Sequence, residues 1–442
     1  MVHSNSFSGG SRGRWGVPAP TFGGSNIDSQ RFATAFAVCG VLYLCIYALE
    51  APIRYGLFLA GKDSLILLRD GLMIGPLVLL FAVQVLRLRL QPAFWVSAIL
   101  VLFHGLVLMG TIGSFSGVAF GIKVLMNLLF GFFAASLLIS PGDRTLKVVM
   151  VIWLLIVIGV CLDKFVLTFP WTGIKTVIGD LNVDVSKDWQ IQDPFARRVA
   201  GFTRSSIAVA AVLPCLTIVL LCRTKNLLVR VIIAAVAVGG VFLTTQKGSV
   251  IAFAPIAAIL CLPNARLPRL RACFLAFLVI AVGLPLLTSD LHMDHGAGVF
   301  STESLYLRIA YTWPDAWRWI DRHQMLCFGV GLGGIGGPQR LYAPDNFNPV
   351  DNIIVLLYGY FGVFAIFYCA IISFLALRPV TGSRQRVETA VAIVAFAFGY
   401  GAVLSVIEDQ SASLFLGAAL GVLWRETGTG RPFAQEIALS PS

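Results

Sequence analysis

Apolar runs of about 20 residues recur along most of this chain, and a run of that length has one stable home, a helix crossing a hydrocarbon core of about 30 Å. Hydrophobic residues make up 57% of the 442 and charged residues only 12%, with a mean hydropathy of +0.85, which no soluble chain of this size carries. Outer-membrane barrels read as alternating ten-residue segments, and these runs do not alternate. The expected fold is therefore all-α, a polytopic transmembrane helical bundle.

Residues 1–30 are rich in Gly and Ser, include Arg12 and Arg14 and lack an apolar core, so they read as a disordered tail and not a cleavable signal peptide. Apolar spans follow at 32–49, 65–86, 93–112, 118–140, 146–168, 201–222, 226–243, 248–262, 270–288, 349–377, 387–407 and 411–424, about twelve in all. Nine of them fill 31–288, interrupted by a polar loop at 170–200. A larger loop covers 289–348, three spans fill 349–424, and 425–442 forms a second tail. Basic residues sit in every second loop: Arg87 and Arg89; Arg144 and Lys147; Arg223, Lys225 and Arg230; Arg266, Arg269 and Arg271; Arg378, Arg384 and Arg386. By the positive-inside rule those loops and both tails are cytoplasmic, and the two long loops and the Glu408-Asp409 break face the other side. The formal charge of +11 is accounted for by this loop bias and does not call for a nucleic-acid partner. No internal repeat is visible, which speaks against transporters built from duplicated halves.

The longest polar interruption, from about Ser289 to Ala365, is where chemistry is expected. Within it, 301–320 places Leu305, Ile309, Trp313, Trp317 and Ile320 on one helical face, the pattern of a helix lying at the membrane interface. Arginine is uncommon on the outward side, yet Arg197, Arg198, Arg204, Arg308, Arg318 and Arg322 lie in or beside the two long loops. Guanidinium groups hold phosphate oxygens in bidentate fashion, so the cluster suits a diphosphate at the outer leaflet; the alternative for each is a neighbouring aspartate or a lipid phosphate. Lys247 and Lys123 are costly inside lipid and face a cavity or partner, or, for Lys123, a structural ion pair. Asp351 follows Asn348-Pro349 and is expected in the first turn of the next helix, either as a general base or as a carboxylate satisfying backbone amides. Gly331-x-Gly333-x-x-Gly336 fits a dinucleotide fingerprint, but no strand precedes it, so its glycines are expected to let backbone approach a substrate or helix closely. His292-x-x-His295 has no evident third ligand. The nine cysteines form no CxxC and all but Cys327 sit in apolar runs, so no cofactor or metal is expected.

Asp351-Asn352, nine residues, then Gly362-x-x-Ala365 resembles the His-Asn, nine residues, Gly-x-x-Gly signature of the O-antigen ligase and O-antigen polymerase superfamily. Arg308, Trp313 and the Gly329–Gly333 turn resemble that family's long outward loop. Arg198-x-x-Gly201-Phe202 resembles its Arg-x-x-Gly element, and Lys247-Gly248-Ser249 its Ser-Arg-Gly element; Arg318 fits an arginine-to-glycine spacing of the polymerases. Aspartate stands where the family has histidine, alanine replaces the second glycine and lysine replaces an arginine, and the aspartate turns the reading toward a polymerase over a ligase. The resemblance implies a GT-C-like, inverting, metal-independent glycosyltransferase of the bacterial inner membrane. Its substrate would be an undecaprenyl-diphosphate-linked oligosaccharide, and a flippase and a chain-length regulator would be its partners. In that reading Asp351 takes the acceptor proton, and Arg198 and Arg308 stabilise the leaving diphosphate with help from Arg204, Lys247 or Arg318. Asn352 orients the base or the loop, and Trp313 and Trp317 are sugar platforms.

Overall fold

The computed structural model describes residues 26–86, 92–134, 138–178, 181–187, 197–264, 266–287 and 302–427. Arg12 and Arg14, Arg87 and Arg89, His292 and His295, and most of both expected tails lie outside the described residues, as does the first part of the larger loop. Residues 26–30, read from sequence as tail, already belong to the first helix, α1 (Asn26–Ala48). The structure is 76% helical with almost no strand, an all-α bundle whose apolar helices mark it as membrane-embedded.

Six helices among the described residues are long and apolar enough to cross a membrane: Asp63–Leu86, Phe94–Thr111, Phe115–Phe133, Asp143–Phe165, Ser206–Arg223 and Arg266–Leu286. A seventh arises if the pair Val38–Ala48 and Glu50–Leu59, bent by 75°, is one span. The expectation of about twelve is not met, for reasons visible in the local chemistry. Leu227–Leu243, Lys247–Cys261 and Phe364–Leu377 are 17, 15 and 14 residues long, short of the roughly 20 that a perpendicular crossing needs. The stretch read as one span at 349–377 is two helices, Ile353–Phe361 and Phe364–Leu377, broken at Gly362 with φ of 57°. Arg384–Gly401 opens with Arg384, Arg386 and Glu388 in its first two turns.

One span is central. Ser206–Arg223, α7 in the numbering that follows from α2 (Glu50–Leu59), α3 (Leu68–Leu86), α4 (Pro92–Thr111), α5 (Phe115–Phe133) and α6 (Asp143–Phe165), is 89% buried, against 28–39% for the other five. Against it pack α6, α8 (Leu227–Leu243), α9 (Lys247–Cys261) and the last two helices. The chain continues through α10 (Arg266–Gly283), α11 (Trp313–His323), α12 (Ile353–Phe361) and α13 (Phe364–Leu377) to those two, α14 (Arg384–Gly401), on which α10 packs, and α15 (Gln410–Glu426). Both α14 and α15 are buried along nearly their whole length, so with α7 they form the centre of the bundle. Helices α5 and α15 meet at glycines: a Cβ on Gly131 would strike the backbone of Leu414, and one on Gly417 that of Leu128. Close helix approach through small residues is how association gains dispersion contacts in lipid, where water exclusion does not drive it.

The basic loops gather at one end of the bundle. Arg223 donates to the Pro141 carbonyl at 3.3 Å, Gln385 to that of Cys222, and Arg271 to those of Ala376 and Arg378. Arg386 pairs with Glu426 at 2.9 Å. At the opposite end stand a small antiparallel ribbon, β1 (Lys175–Ile178) and β2 (Leu181–Asp184), the run 197–205 and the larger loop. That loop carries the rod expected from its apolar periodicity: Glu303–Leu307, a π-helical Arg308–Thr312 and α11 follow one another, with Ile309, Trp313, Ala316 and Ile320 buried.

Candidate functional site

Asp351 stands one residue before the helix it was expected to open. Asn352 is the N-cap of α12, its Oδ1 accepting from Ile354 and Val355 N–H at 2.8 and 3.0 Å, which leaves the Asp351 carboxylate no amides to satisfy. Its partner is Arg308, whose Nε donates at 3.1 Å and whose second terminal nitrogen lies at 3.0 Å. The remaining terminal nitrogen of Arg308 holds Ser304 through its carbonyl and hydroxyl. Two loop positions 43 residues apart are thereby locked together.

The backbone that presents this carboxylate is strained. Val350 and Asp351 are consecutive non-glycine residues with φ of 63° and 47°, a region that costs a β-branched residue on the order of 1–3 kcal/mol. Hydrogen bonds on both sides impose the geometry. Asn348 accepts from Val350 N–H at 2.7 Å and donates to the Thr312 carbonyl at 2.8 Å, and Ser405 donates to the Pro349 carbonyl at 3.0 Å. Asn352, fully buried, donates to the carbonyls of Ala281 and Ala402, both at 3.0 Å. It thus ties the ends of α10 and α14 to the start of α12.

Arg198 comes within electrostatic reach of Arg308, Asp351 and Tyr400, and Lys247 within reach of Arg198. Burial, and then the Arg308 charge, hold the Arg198 guanidinium below its ordinary value. Burial raises the Asp351 carboxyl above 3.8 by more than Arg308 and Arg198 lower it, leaving a base stronger than a solvated aspartate. The neighbouring arginine does different work. Arg197 pairs with buried Asp163 at 2.6 Å, and the same carboxylate accepts from Ala200 and Gly201 N–H at 3.1 and 2.9 Å. That clamp fixes the turn from which Arg198 projects.

The glycine run of the larger loop has a packing explanation. A Cβ on Gly331 would strike Leu108 of α4, and one on Gly333 the Gly117 carbonyl of α5; Gly329 and Gly362 press backbone to backbone. The loop is thus wedged between helices, and Gly362, the signature glycine, is what lets α12 end against it. The other expected site residues are dispersed. Trp313 is fully buried, so its ring packs under the interfacial rod and presents no face to a sugar. Arg318 is exposed and pairs with Asp315 on the outer side of α11. Lys123 forms an ion pair with Asp70 at 2.7 Å, the structural alternative for that residue.

Arg204 belongs to a second constellation that sequence reading did not assemble. A cavity of about 470 Å³ is lined by Asp351 together with Glu50, Arg54, Arg69, Asp70, Lys123, Lys187, Arg204, Arg340, Glu408 and Asp409. Glu50 is its organising anion, holding Arg54 at 2.7 Å and Arg69 at 2.5 Å. The signal was present as charges beside and inside apolar runs, Glu50 and Arg54 at i,i+4 just past the first run and the Arg69-Asp70 pair within the second, which in a membrane protein mark functional or structural polar sites. Glu408 accepts from Gly337 N–H at 2.7 Å and from the Tyr360 hydroxyl at 3.3 Å, and burial raises its carboxyl to about 7. Among the described residues no group of three or more His, Cys, Asp or Glu side chains could hold a metal ion, and all nine cysteines are free. No family model, no curated protein and no solved structure matches this chain, so a functional reading starts from this geometry.

Proposed function

We propose that this chain is an inner-membrane glycosyltransferase that polymerises undecaprenyl-diphosphate-linked oligosaccharide repeat units into exopolysaccharide, capsule or O-antigen chains at the periplasmic face, with a GT-C-like mode of action. The observation that carries the reading is the strained, ion-paired carboxylate of Asp351, held by Arg308, with Arg198 beside it, on the wall of a polar cavity in an apolar bundle. Backbone strain maintained by several independent hydrogen bonds is characteristic of working sites.

In this reading Asp351 accepts the proton of an acceptor hydroxyl as that oxygen attacks the anomeric carbon of the donor, which inverts the centre and releases the lipid diphosphate. Fixed positive charge stabilises the leaving group, and Arg198 and Lys247 supply it. Arg308 couples the two events. While its guanidinium is on Asp351 the carboxylate is a weaker base; an incoming diphosphate competes for the same fork, and its capture frees Asp351 to take the proton.

The test is incubation of the purified protein in vesicles with a lipid-linked repeat unit, reading product chain length. A ladder of multiples supports a polymerase. Transfer only to a different acceptor would move the reading to a ligase, and transport of label without chain growth would overturn it.

A further inference from the structure

The cavity holds more positive charge than its carboxylates neutralise, and the excess is localised. Glu50 takes Arg54 and Arg69; Asp70 takes Arg69 and Lys123. Asp409 caps α15 through the amides of Ser411 and Ala412 and accepts from Tyr47. Glu408 is occupied by the Gly337 amide and Tyr360. Lys187, Arg204 and Arg340 remain: none of the three has a carboxylate at ion-pair distance among the described residues, and Asp184 acts on Lys187, Glu50 and Asp184 on Arg204, and Glu408 on Arg340 only from farther off. Nε of Arg204 is buried without a hydrogen-bond partner, an arrangement that is costly unless a ligand completes it.

Their placement is built. Lys187 N–H donates to the Arg204 carbonyl at 2.8 Å and the Ser186 hydroxyl donates to the same oxygen at 3.3 Å, so the two cations leave adjoining backbones. Arg340, an exposed side chain of the larger loop, also lines the cavity, its guanidinium over the Phe347 ring at 4.1 Å. We propose that Lys187, Arg204 and Arg340 form an oxyanion subsite, distinct from the Arg198–Arg308–Asp351 group, that takes a carboxylate or phosphate carried by a saccharide substrate. The assignment of that oxyanion to a saccharide rests on the glycosyltransferase reading; the binding chemistry does not. Burial, with the charges of Arg204 and Arg340 and against the pull of Asp184, lowers the Lys187 ammonium to about 8, as expected of a buried cation beside other cations.

The experiment is calorimetry on the full chain in detergent with four probes: glucuronate, glucose 1-phosphate, inorganic diphosphate and glucose. Binding of glucuronate alone or with the others identifies a carboxylate as sufficient, and binding of only the two phosphates assigns the site to phosphate; either supports the subsite. Arg204→Gln and, separately, Lys187→Met should weaken the bound probe by about ten- to a hundred-fold. The milder Lys187→Met covers the case in which Arg204→Gln fails to fold. An oxyanion on Lys187 also restores its proton, so binding at pH 8.5 should take up protons from buffer, and Lys187→Met should abolish that uptake. Equal affinity for glucose and the charged probes, or unchanged affinity in a folded variant, overturns the proposal. If the probes bind as stated and the two variants weaken them, while no chain growth is found in any preparation, the polymerase reading fails and the subsite stands.

Discussion

Replacing Glu408 with glutamine removes one titration from the folded protein with little change in shape. The amide oxygen can take the place of Oε1, which accepts both the Gly337 N–H at 2.7 Å and the Tyr360 hydroxyl at 3.3 Å. Glu408 titrates at about 7 in the folded chain, raised from 4.5 chiefly by burial. Because the folded value is the higher one, the folded state binds more protons than the unfolded state between pH 4.5 and 7, and stability falls as pH rises through that window. A rise of that size is worth about 3 kcal/mol at full ionisation, as an upper bound. Wild type should therefore lose melting temperature between pH 5 and pH 8, and Glu408→Gln should lose distinctly less, the two curves meeting at the acid end. Other carboxyls raised by burial contribute to both curves, Asp351 among them; it differs between them only by its repulsion with Glu408, so the difference reports chiefly Glu408. The assay is the melting temperature of detergent-purified protein, followed by tryptophan emission across that pH range. Parallel curves, or a glutamine variant less stable than wild type at pH 8, would refute the reasoning.

Gly362→Ala places a Cβ against the Cys327 carbonyl at a residue whose φ is 57°; it should cost more than about 3 kcal/mol and largely abolish folded protein on size exclusion. Asp163→Asn leaves Arg197 buried without its carboxylate, and breaking a buried pair costs about 3–5 kcal/mol, read as a lowered melting temperature. Arg308→Lys keeps the charge and loses the two-nitrogen grip on Asp351; chain growth should fall about a hundred-fold or more with folding intact, and a change under about threefold would return Arg308 to a structural role.

How much of this was legible in the sequence depended on whether a property is local. Helical class and the buried face Ile309, Trp313 and Ile320 follow from hydropathy and period alone, and the structure has them. Span number was misjudged because hydropathy sums over a break: Gly362 interrupts an apolar run without lowering its average, and Arg384 to Glu388 make a polar first turn on a buried helix. At the site, the sequence brought out Arg198, Arg308 and Asp351, which the fold brings together. It could not tell Arg197 from Arg198, since the distinction lies in Asp163, 34 residues away. Nor could it find the excess charge around Arg204, because Lys187 and Arg340 come from two different loops. Trp313 shows the opposite failure, since an aromatic on an amphipathic face looks the same whether it is open to a ligand or fully buried.

The central claim is that Asp351 acts as the base of a glycosyl transfer, and chain growth by Asp351→Asn in vesicles supplied with a lipid-linked repeat unit tests it most directly. Asparagine preserves the size of the side chain and an acceptor for Arg308 while removing the proton acceptor. The account predicts that wild type builds a ladder of multiples, with activity lost as pH falls through the raised carboxyl value of Asp351, and that the folded variant leaves the single repeat unit unextended. A folded Asp351→Asn protein that makes polymer at the wild-type rate would contradict it.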